Sequence, residues 1–455
     1  MDERFHHEYI DQTTLHPIGL AAILLLGCAS LALPRRFAVI PIILSACFIA
    51  PAQRVVVLTL DFNMLRIMVV FGWIRLLLRG ETSGFIWKRL DTVIILWMIS
   101  GAAAFILLRG TTAAVIFKLG SAVDAVGMYF FFRCLITSWK DVDTIVQCFI
   151  VVSVPVAIAF LIESATGRNA FAVLGGVSAI TPIRQGRLRC QGAFAHPIMA
   201  GCFWAVLLPL IAARWWGGGA DRLWAVLGVA ASMVIIAACA SSTPAMGVLA
   251  GVVAAGLFPL RRNMRMFRWG VFAALVVLHF YMNAPVWHLI SRVDVVGGST
   301  GWHRYFLIDQ AIHRVREWWL LGTLSTAHWG WGLFDVTNQY VLEAVRGGLL
   351  TLVLFVVIIG LAFHGVGRLT ALSEGNKRIR ALSWALGAAM FVHCVNFIGV
   401  SYFGQIIVIW FLLLAMIGSL TPLPAPRAVQ HAPTARRKKR RALQRTPAHS
   451  HLEPV

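Results

Sequence analysis

The chain has 455 residues, of which 59% are apolar and only 13% are charged, and its mean hydropathy is +0.78. Soluble domains are about half apolar and about a quarter charged. This composition therefore excludes a soluble globular protein and predicts an integral membrane protein, in which the formal net charge of +21 chiefly reflects loop topology.

Apolar runs of roughly 18–24 residues recur along the chain, and each is long enough to cross a hydrocarbon core of about 30 Å. They predict an all-α polytopic membrane protein with about 13 transmembrane helices, within a range of 12–14. The predicted spans are residues 16–33, 37–52, 55–78, 92–108, 113–132, 142–163, 196–213, 223–240, 243–260, 269–287, 345–364, 381–399 and 402–420. An acidic leader precedes the first run, which favours a retained helix over a cleaved signal.

The distribution of Lys and Arg predicts the orientation. With the basic tail in the cytoplasm, the inner loops hold 18 Lys/Arg and the tail 8, against 11 in all the outer segments together. Loops that stay in the cytoplasm collect these residues. The same arrangement places the acidic N-terminus outside.

Two long outer loops divide the chain. The predicted segments are N-terminal helices (1–163), an Arg-rich first outer loop (164–195), central helices (196–287), a large outer loop (288–344), C-terminal helices (345–421) and a disordered basic tail (422–455). Residues 303–321 have the spacing of an amphipathic helix, and nearby tryptophans favour a place at the membrane interface. Anionic lipid is the favoured partner of the tail, with nucleic acid as the alternative.

The first outer loop retains three arginines, Arg184, Arg187 and Arg189, where short translocated loops usually shed them. Gly192 allows close approach of the backbone, and the helix that begins at Pro197 offers N–H groups at its start. Because arginine binds phosphate oxygens in pairs, these features together predict a diphosphate site. The alternative is that the arginines contact lipid headgroups or loop carbonyls.

Several segments, in order, resemble the O-antigen ligase and polymerase family. Residues 189–201 resemble its R-x-x-G-x-F-x-x-P segment, and residues 335–350 its H-N-x-Y-L-x-x-L-x-E-x-G-L-L-G segment. Residues 301–304 and 319–322 are similar to its paired arginine and P-x-x-G region. The chain departs from the family at Thr337, where ligases have a histidine proposed as the base, and at Ser241-Ser-Thr243-Pro244, which replaces a Ser-Arg pair. The R-x10-G motif of some polymerases is absent from both outer loops.

The resemblance implies a glycosyltransferase of the bacterial inner membrane that acts at the periplasmic face. It would move a glycan from an undecaprenyl-diphosphate carrier to a saccharide or other acceptor, as a ligase or a polymerase. Arg189 and Arg304 would hold the diphosphate, with Arg187 and Arg184 beside them. Positioned cations can stabilise such a leaving group, so neither a metal nor a cofactor is expected. The expected partners are the lipid-linked donor, the acceptor, membrane lipids and other envelope-assembly proteins, and no nucleic acid.

A general base would deprotonate the acceptor hydroxyl. The candidates, in order, are His303, Asp335, His328 and Glu343. His303 stands first because the neighbouring arginine disfavours its charged form. Other residues expected to line the substrate cavity are His196, Asn338, Thr337 and Tyr340. Each of these residues has an ordinary structural role as its alternative.

Two alternatives to a transferase stay open at this point. A transporter or flippase of a lipid-linked saccharide would also need outer arginines, but it predicts matched inner cationic sites and binding at the bilayer midplane. A non-catalytic assembly protein would tolerate the loss of any single arginine. Within the bundle, Asp61 with Arg66 and Lys118 with Asp124 are predicted to form ion pairs, because charge at bilayer depth is usually paired.

Overall fold

The computed structural model describes residues 13–57, 60–292 and 301–422. The protein is 75% helical and has almost no sheet, which confirms the all-α membrane fold. The predicted tail and the first residues of the leader lie outside the described residues.

The elements follow in chain order. The first part comprises α1 (Pro17–Ala32), α2 (Ile40–Phe48), β1 (Arg54–Val57), β2 (Leu60–Asn63), α3 (Met64–Leu78), α4 (Arg89–Arg109), α5 (Thr112–Ala122), α6 (Met128–Leu135) and α7 (Trp139–Thr166). The second part comprises β3 (Ile183–Arg184), β4 (Arg187–Leu188), α8 (Pro197–Ala213), α9 (Ala220–Ala238), α10 (Ser242–Gly256), α11 (Met264–Tyr281), α12 (Gly301–His313), α13 (Val315–Trp318), α14 (Gln339–Leu372), α15 (Lys377–Gly399) and α16 (Ile406–Leu420).

Seven helical segments in the described part are long and apolar enough to cross a membrane. The number is eight if α10 and α11, which are bent by 72° at their junction, count as one span. The predicted count of about thirteen is therefore not confirmed. The difference lies partly in short helices, since α2 has 9 residues and α16 has 15, whereas a straight span needs about 20.

Helix α8 lies at the centre of the bundle and packs against α7, α9, α10, α15 and α16. Glycine makes one of these contacts possible. A Cβ placed on Gly201 of α8 would lie 2.4 Å from the ring of Pro244 in α10 and 3.4 Å from the Cβ of Cys239. The start of α8 and the α9–α10 connection therefore approach each other closely.

The charged side chains near the N-terminal hairpin form two ion pairs. Arg66 pairs with Asp124 at 2.6 Å, and Arg54 pairs with Asp61 at 3.0 Å. In the β1–β2 register Arg54 faces Asn63 and Asp61 faces Val56, so Arg54 and Asp61 lie diagonally on one face of the hairpin. The carboxylate of Asp61 thus pairs with Arg54, while Arg66 donates to the Asp61 backbone carbonyl.

The long segment between α11 and α14 is fastened to α14 by its backbone. Helix α14 breaks at Gly348, which has φ 73° and ψ −177°. The Leu349 N–H donates to the Trp319 carbonyl at 2.8 Å, and the Thr323 N–H donates to the Val345 carbonyl at 2.8 Å. These two bonds use backbone groups that an unbroken helix would pair internally. We call them the backbone clamp.

Helix α14 begins at Gln339, whereas the sequence predicted a loop as far as residue 344. Tyr340 and Glu343 therefore lie on the first turns of a helix and not in a loop. The predicted span began at residue 345. The helical residues 339–347 lie before the break at Gly348, so the apolar pattern of the span does not reveal the earlier start of the helix.

Replacement of Gly348 by alanine should destabilise the protein. A Cβ at this position would lie 2.3 Å from the Leu320 carbonyl oxygen, and the backbone conformation alone costs a residue other than glycine about 1–3 kcal/mol. We expect Gly348→Ala to lower the thermal unfolding temperature of the detergent-purified protein. Gly360→Ala is the matched control in the same helix, since a Cβ there meets nothing within 4 Å. Equal unfolding temperatures for the two variants would contradict the clamp.

Candidate functional site

The first long loop, residues 164–195, is held by the carboxylate of Glu163 near the end of α7. This buried side chain accepts three hydrogen bonds, from the Thr181 hydroxyl and from the backbone N–H groups of Gln191 and Gly192, each at 3.0 Å. Hydrogen bonds to an ionised acceptor are stronger than bonds between neutral groups. Glu163 therefore fixes the turn that directly follows Arg189.

The same turn is tied to two other parts of the bundle. The Cys190 N–H donates to the Ala238 carbonyl at the end of α9, at 3.0 Å. The Gln405 side chain, just before α16, donates to the Ala193 carbonyl at 2.6 Å. Three separate helices thus position the residues on either side of the loop's last turn.

Gly192 is required by the geometry of this turn, as its position in the motif predicted. Its φ is 57°, and a Cβ there would lie 2.4 Å from the ring of Phe160. Its carbonyl accepts from the Asn169 side chain at 2.7 Å. A larger residue would push the loop away from α7.

Arg189 is the one buried member of the three predicted loop arginines. It is 8% exposed, whereas Arg184 and Arg187 lie exposed on the β3–β4 hairpin. Its guanidinium makes no ion pair with any described residue, and its Nε is buried without a hydrogen-bond partner there. Burial, and then the nearby charge of Arg184, lowers the pKa of Arg189. A buried cation without a counter-charge is costly, and an anionic ligand would offset that cost.

Arg304 on α12 has a similar environment. It is also 8% exposed, and its Nη2 donates to the hydroxyl of Thr243 at the start of α10, at 2.9 Å. Its Nε has no hydrogen-bond partner among the described residues, and no described carboxylate pairs with it. Burial lowers the pKa of Arg304. Most of its donors are therefore unused by the part of the chain that the structure describes.

The two buried arginines lie in segments that are both attached to the connection between α9 and α10. The Cys190 N–H, next to Arg189, donates to the Ala238 carbonyl at 3.0 Å, and Arg304 donates to the Thr243 hydroxyl at 2.9 Å. Segments from both predicted loops, each with a buried arginine, thus contact residues 238–243.

His196 caps the helix that follows the loop. Its Nδ1 accepts from the Ile198 N–H at 3.1 Å, so one of the N–H groups expected to bind a ligand is used by the chain itself. Burial, reinforced by the charges of Arg189 and Arg184, lowers the pKa of His196 to about 4. The imidazole is therefore neutral near pH 7 and cannot serve as an anion-binding cation.

Among the predicted bases, His303 has the most suitable surroundings. Its Nε2 lies 3.4 Å from the backbone oxygen of Asp335. A carbonyl only accepts, so this contact places the proton on Nε2 and leaves Nδ1 as the basic nitrogen. Burial and the adjacent Arg304 charge lower the pKa of His303, which keeps it neutral near pH 7. Asp335 contributes its backbone oxygen to this arrangement.

The structure places the other two predicted bases in separate hydrogen-bond networks. His328 bonds through Nε2 to Glu317 at 2.8 Å, and the Trp329 indole donates to the same carboxylate oxygen at 2.9 Å. These bonds help to lower the pKa of Glu317 to about 2. Glu343 faces α4 and accepts from the Trp97 indole at 2.9 Å.

The remaining predicted cavity residues have mixed roles. Asn338 caps α14 and also donates to the Ile398 carbonyl at 3.2 Å. Tyr340 donates to the Cys394 carbonyl at 3.2 Å. The hydroxyl of Thr337 is buried and has no hydrogen-bond partner within the described ranges. Of this group, Thr337 therefore keeps an unused polar atom, at the position where the resembled family has its histidine.

Sequence patterns alone missed Glu163. Glu163 carries a usable signal, because an acidic residue near the end of an apolar helix is expensive and faces an arginine-rich loop. The sequence showed Thr243 only as part of the segment that replaces the family's Ser-Arg pair. Its role carries no sequence signal, since a single polar residue at a helix end has many ordinary roles.

No known family model matches this chain, and no curated protein matches it in sequence. Within residues 13–57, 60–292 and 301–422, no three His, Cys, Asp or Glu side chains gather in a metal-binding arrangement. The function of the site therefore has to be inferred from its two buried arginines and the neutral imidazole beside one of them.

Loss of the Glu163 charge should open the first long loop. A glutamine has nearly the same shape, but its amide nitrogen would face a donor and cannot accept a hydrogen bond. Loss of a hydrogen bond to a buried group costs about 1–3 kcal/mol. We expect Glu163→Gln to raise trypsin cleavage after the exposed residues Arg184 and Arg187 by about tenfold or more. Glu374→Gln, which alters an exposed ion pair with Arg262, is the control and should cleave like the parent protein. Unchanged cleavage of Glu163→Gln would show that this carboxylate does not hold the loop.

Proposed function

We propose that the protein is a membrane glycosyltransferase that moves a glycan from an undecaprenyl-diphosphate carrier to a saccharide or other acceptor. The reaction would take place at the periplasmic face of a bacterial inner membrane, with the basic tail in the cytoplasm. The single observation that supports the proposal is that Arg189 and Arg304 lie in two segments that both contact the connection between α9 and α10. Both are buried, neither pairs with a described carboxylate, and they come from different loops.

A diphosphate suits this pair of guanidinium groups. It carries charge on two adjacent phosphoryl groups, and arginine presents several donors in a planar fork that matches phosphate oxygens. The donors are held in place before any ligand arrives, because the loop of Arg189 is fixed by Glu163 and Arg304 is oriented by Thr243. Preorganised donors stabilise the charge that develops on a leaving group without further rearrangement.

The transfer step then needs one base. Nδ1 of His303 would take the proton of the acceptor hydroxyl while that oxygen attacks the anomeric carbon of the glycan. The bond between this carbon and the diphosphate oxygen breaks, and the electron pair goes to the diphosphate beside Arg189 and Arg304. Positioned general bases typically contribute about 10²–10⁴-fold to such a rate.

Removal of either buried arginine should strongly reduce transfer. Each charge-assisted hydrogen bond to phosphate contributes on the order of 1.5–3 kcal/mol, so we expect Arg189→Ala and Arg304→Ala each to lower transfer by about 100-fold. Arg304→Lys should be nearly as defective, since a lysine cannot form the paired bonds. The control is Arg316→Ala, which removes an exposed arginine of the same long segment.

The measurement compares surface glycan with the lipid-linked precursor in cells that carry each variant. Lost glycan with the precursor exposed at the outer leaflet supports the transferase. Precursor trapped at the inner leaflet supports a transporter of the lipid-linked saccharide instead. Normal glycan in both alanine variants would rule out a catalytic role and favour an assembly protein.

The proposed base gives a defined pH dependence. The pKa of His303 is lowered from its ordinary value of 6.5, and only the neutral imidazole can accept a proton. Transfer by the reconstituted protein should therefore be full at pH 7 and fall as the pH drops below 6.5, through the lowered pKa. In His303→Gln the residual rate should lose this acidic limb. An identical acidic limb in parent and variant would assign the titration to another group.

A further inference from the structure

The segment that faces the proposed base carries an indole ring with no protein cover. Trp331 is 98% exposed and stands between Gly330 and Gly332. Tryptophan is usually largely buried, so full exposure of its ring is unusual. The short neighbours bring the backbone close to α12, because a Cβ on Gly330 would lie 2.6 Å from the ring of Phe306.

A second exposed indole lies on α12 close to the backbone that carries Trp331. Trp302 is 62% exposed and stacks on Phe306, with ring centroids 4.8 Å apart and an interplanar angle of 21°. Phe306 therefore contacts Trp302 on α12 and also the backbone that carries Trp331. We call Trp302, Phe306 and Trp331 the aromatic platform.

Two residues of the aromatic platform lie on nearly the opposite side of α12 from Arg304. Trp302 and Phe306 lie two residues before and after Arg304, and at 3.6 residues per turn that places them about 160° from it around α12. His303 lies between the face of α12 that carries Arg304 and the face that carries Trp302 and Phe306. Its ring is also next to the platform's loop, because a Cβ on Gly332 would lie 3.7 Å from the imidazole Cε1.

The exposed apolar side chains near Trp331 are rings and not aliphatic chains. In residues 325–337 the large exposed apolar side chains are Trp331 and Phe334. Beside the backbone clamp, in contrast, exposed leucines predominate, among them Leu320 and, on the membrane helix α14, Leu349. Aliphatic chains are what a lipid environment takes up, whereas flat rings beside a polar imidazole are suited to a ring-shaped, hydroxylated ligand.

We propose that the aromatic platform binds a sugar ring of the glycan. The face of an indole is electron-rich, and the C–H face of a pyranose presents hydrogens of partial positive charge to it. The hydroxyl groups at the sugar's edge remain in water. The inference rests on the proposed function, since the glycan would run from the diphosphate at Arg189 and Arg304, past His303, onto Trp302 and Trp331.

Binding of a soluble oligosaccharide tests the platform without any transfer reaction. The probe is the oligosaccharide mixture released by mild acid from the host cell's own surface polysaccharide, which carries no diphosphate. The full-length protein is held in lipid nanodiscs, and affinity is read from saturation-transfer NMR. We expect Trp331→Ala to weaken binding by about tenfold, and Trp331→Phe by less, because an aromatic contact contributes about 0.5–1.5 kcal/mol beyond its buried area.

Trp319→Ala is the matched control, because Trp319 is 52% exposed in the same long segment but adjoins the clamp. It should bind the oligosaccharide like the parent protein. Three results would overturn the platform: no binding by the parent, equal binding by Trp331→Ala, or an equal loss in Trp319→Ala. If brominated lipids quench the fluorescence of Trp331 as strongly as that of Trp319, the Trp331 ring lies in the membrane, which would likewise overturn the platform.

The test separates this proposal from the proposed function. Arg189→Ala and Arg304→Ala should bind the oligosaccharide normally, because the probe has no phosphate for them to hold. If binding depends on Trp331 while both arginine variants make normal surface glycan, the transferase fails and the platform stands. If transfer depends on the arginines while the oligosaccharide binds independently of Trp331, the platform fails and the transferase stands.

Discussion

The position of Arg189 depends on one buried carboxylate. Glu163 closes α7 and accepts from two successive backbone N–H groups and a hydroxyl of the long loop that follows. Ordering a loop of about thirty residues costs conformational entropy, and these three hydrogen bonds help to offset that cost. With its last turn fixed, the loop holds a guanidinium inside the protein although no described carboxylate pairs with it.

The second buried arginine is held by a different device. The backbone clamp joins the segment after α12 to the break in α14, and Thr243 accepts from Arg304. The Arg304 guanidinium is thus oriented by a neutral hydroxyl, and Glu163 holds the backbone next to Arg189 and not its guanidinium, which leaves both charges available. An ion pair would position an arginine equally well but would neutralise it. An anion-binding site requires cations that are held in position without being neutralised.

Other charged residues of the bundle, in contrast, form ion pairs. Arg66 with Asp124 and Arg54 with Asp61 form ion pairs. The sequence predicted that Asp61 and Arg66 would be paired with each other. The hairpin register instead places Asp61 on one face with Arg54, and a register depends on how the segment folds back.

The sequence by itself determined the membrane class, the all-α fold, the arginine-rich loops and the need for glycine at residue 192, because apolar length, charge distribution and backbone conformation are local properties. Its count of about thirteen spans is not confirmed, since an apolar run such as residues 37–52 contains a helix of only nine residues. Only the tertiary structure decided that the segment of Arg189 and the side chain of Arg304 bond to the same connection between α9 and α10, that Glu163 holds the turn after Arg189, and that His328 and Glu343 belong to other networks. Those relations join residues far apart in the chain, and the distance between such residues is set by packing and not by their spacing.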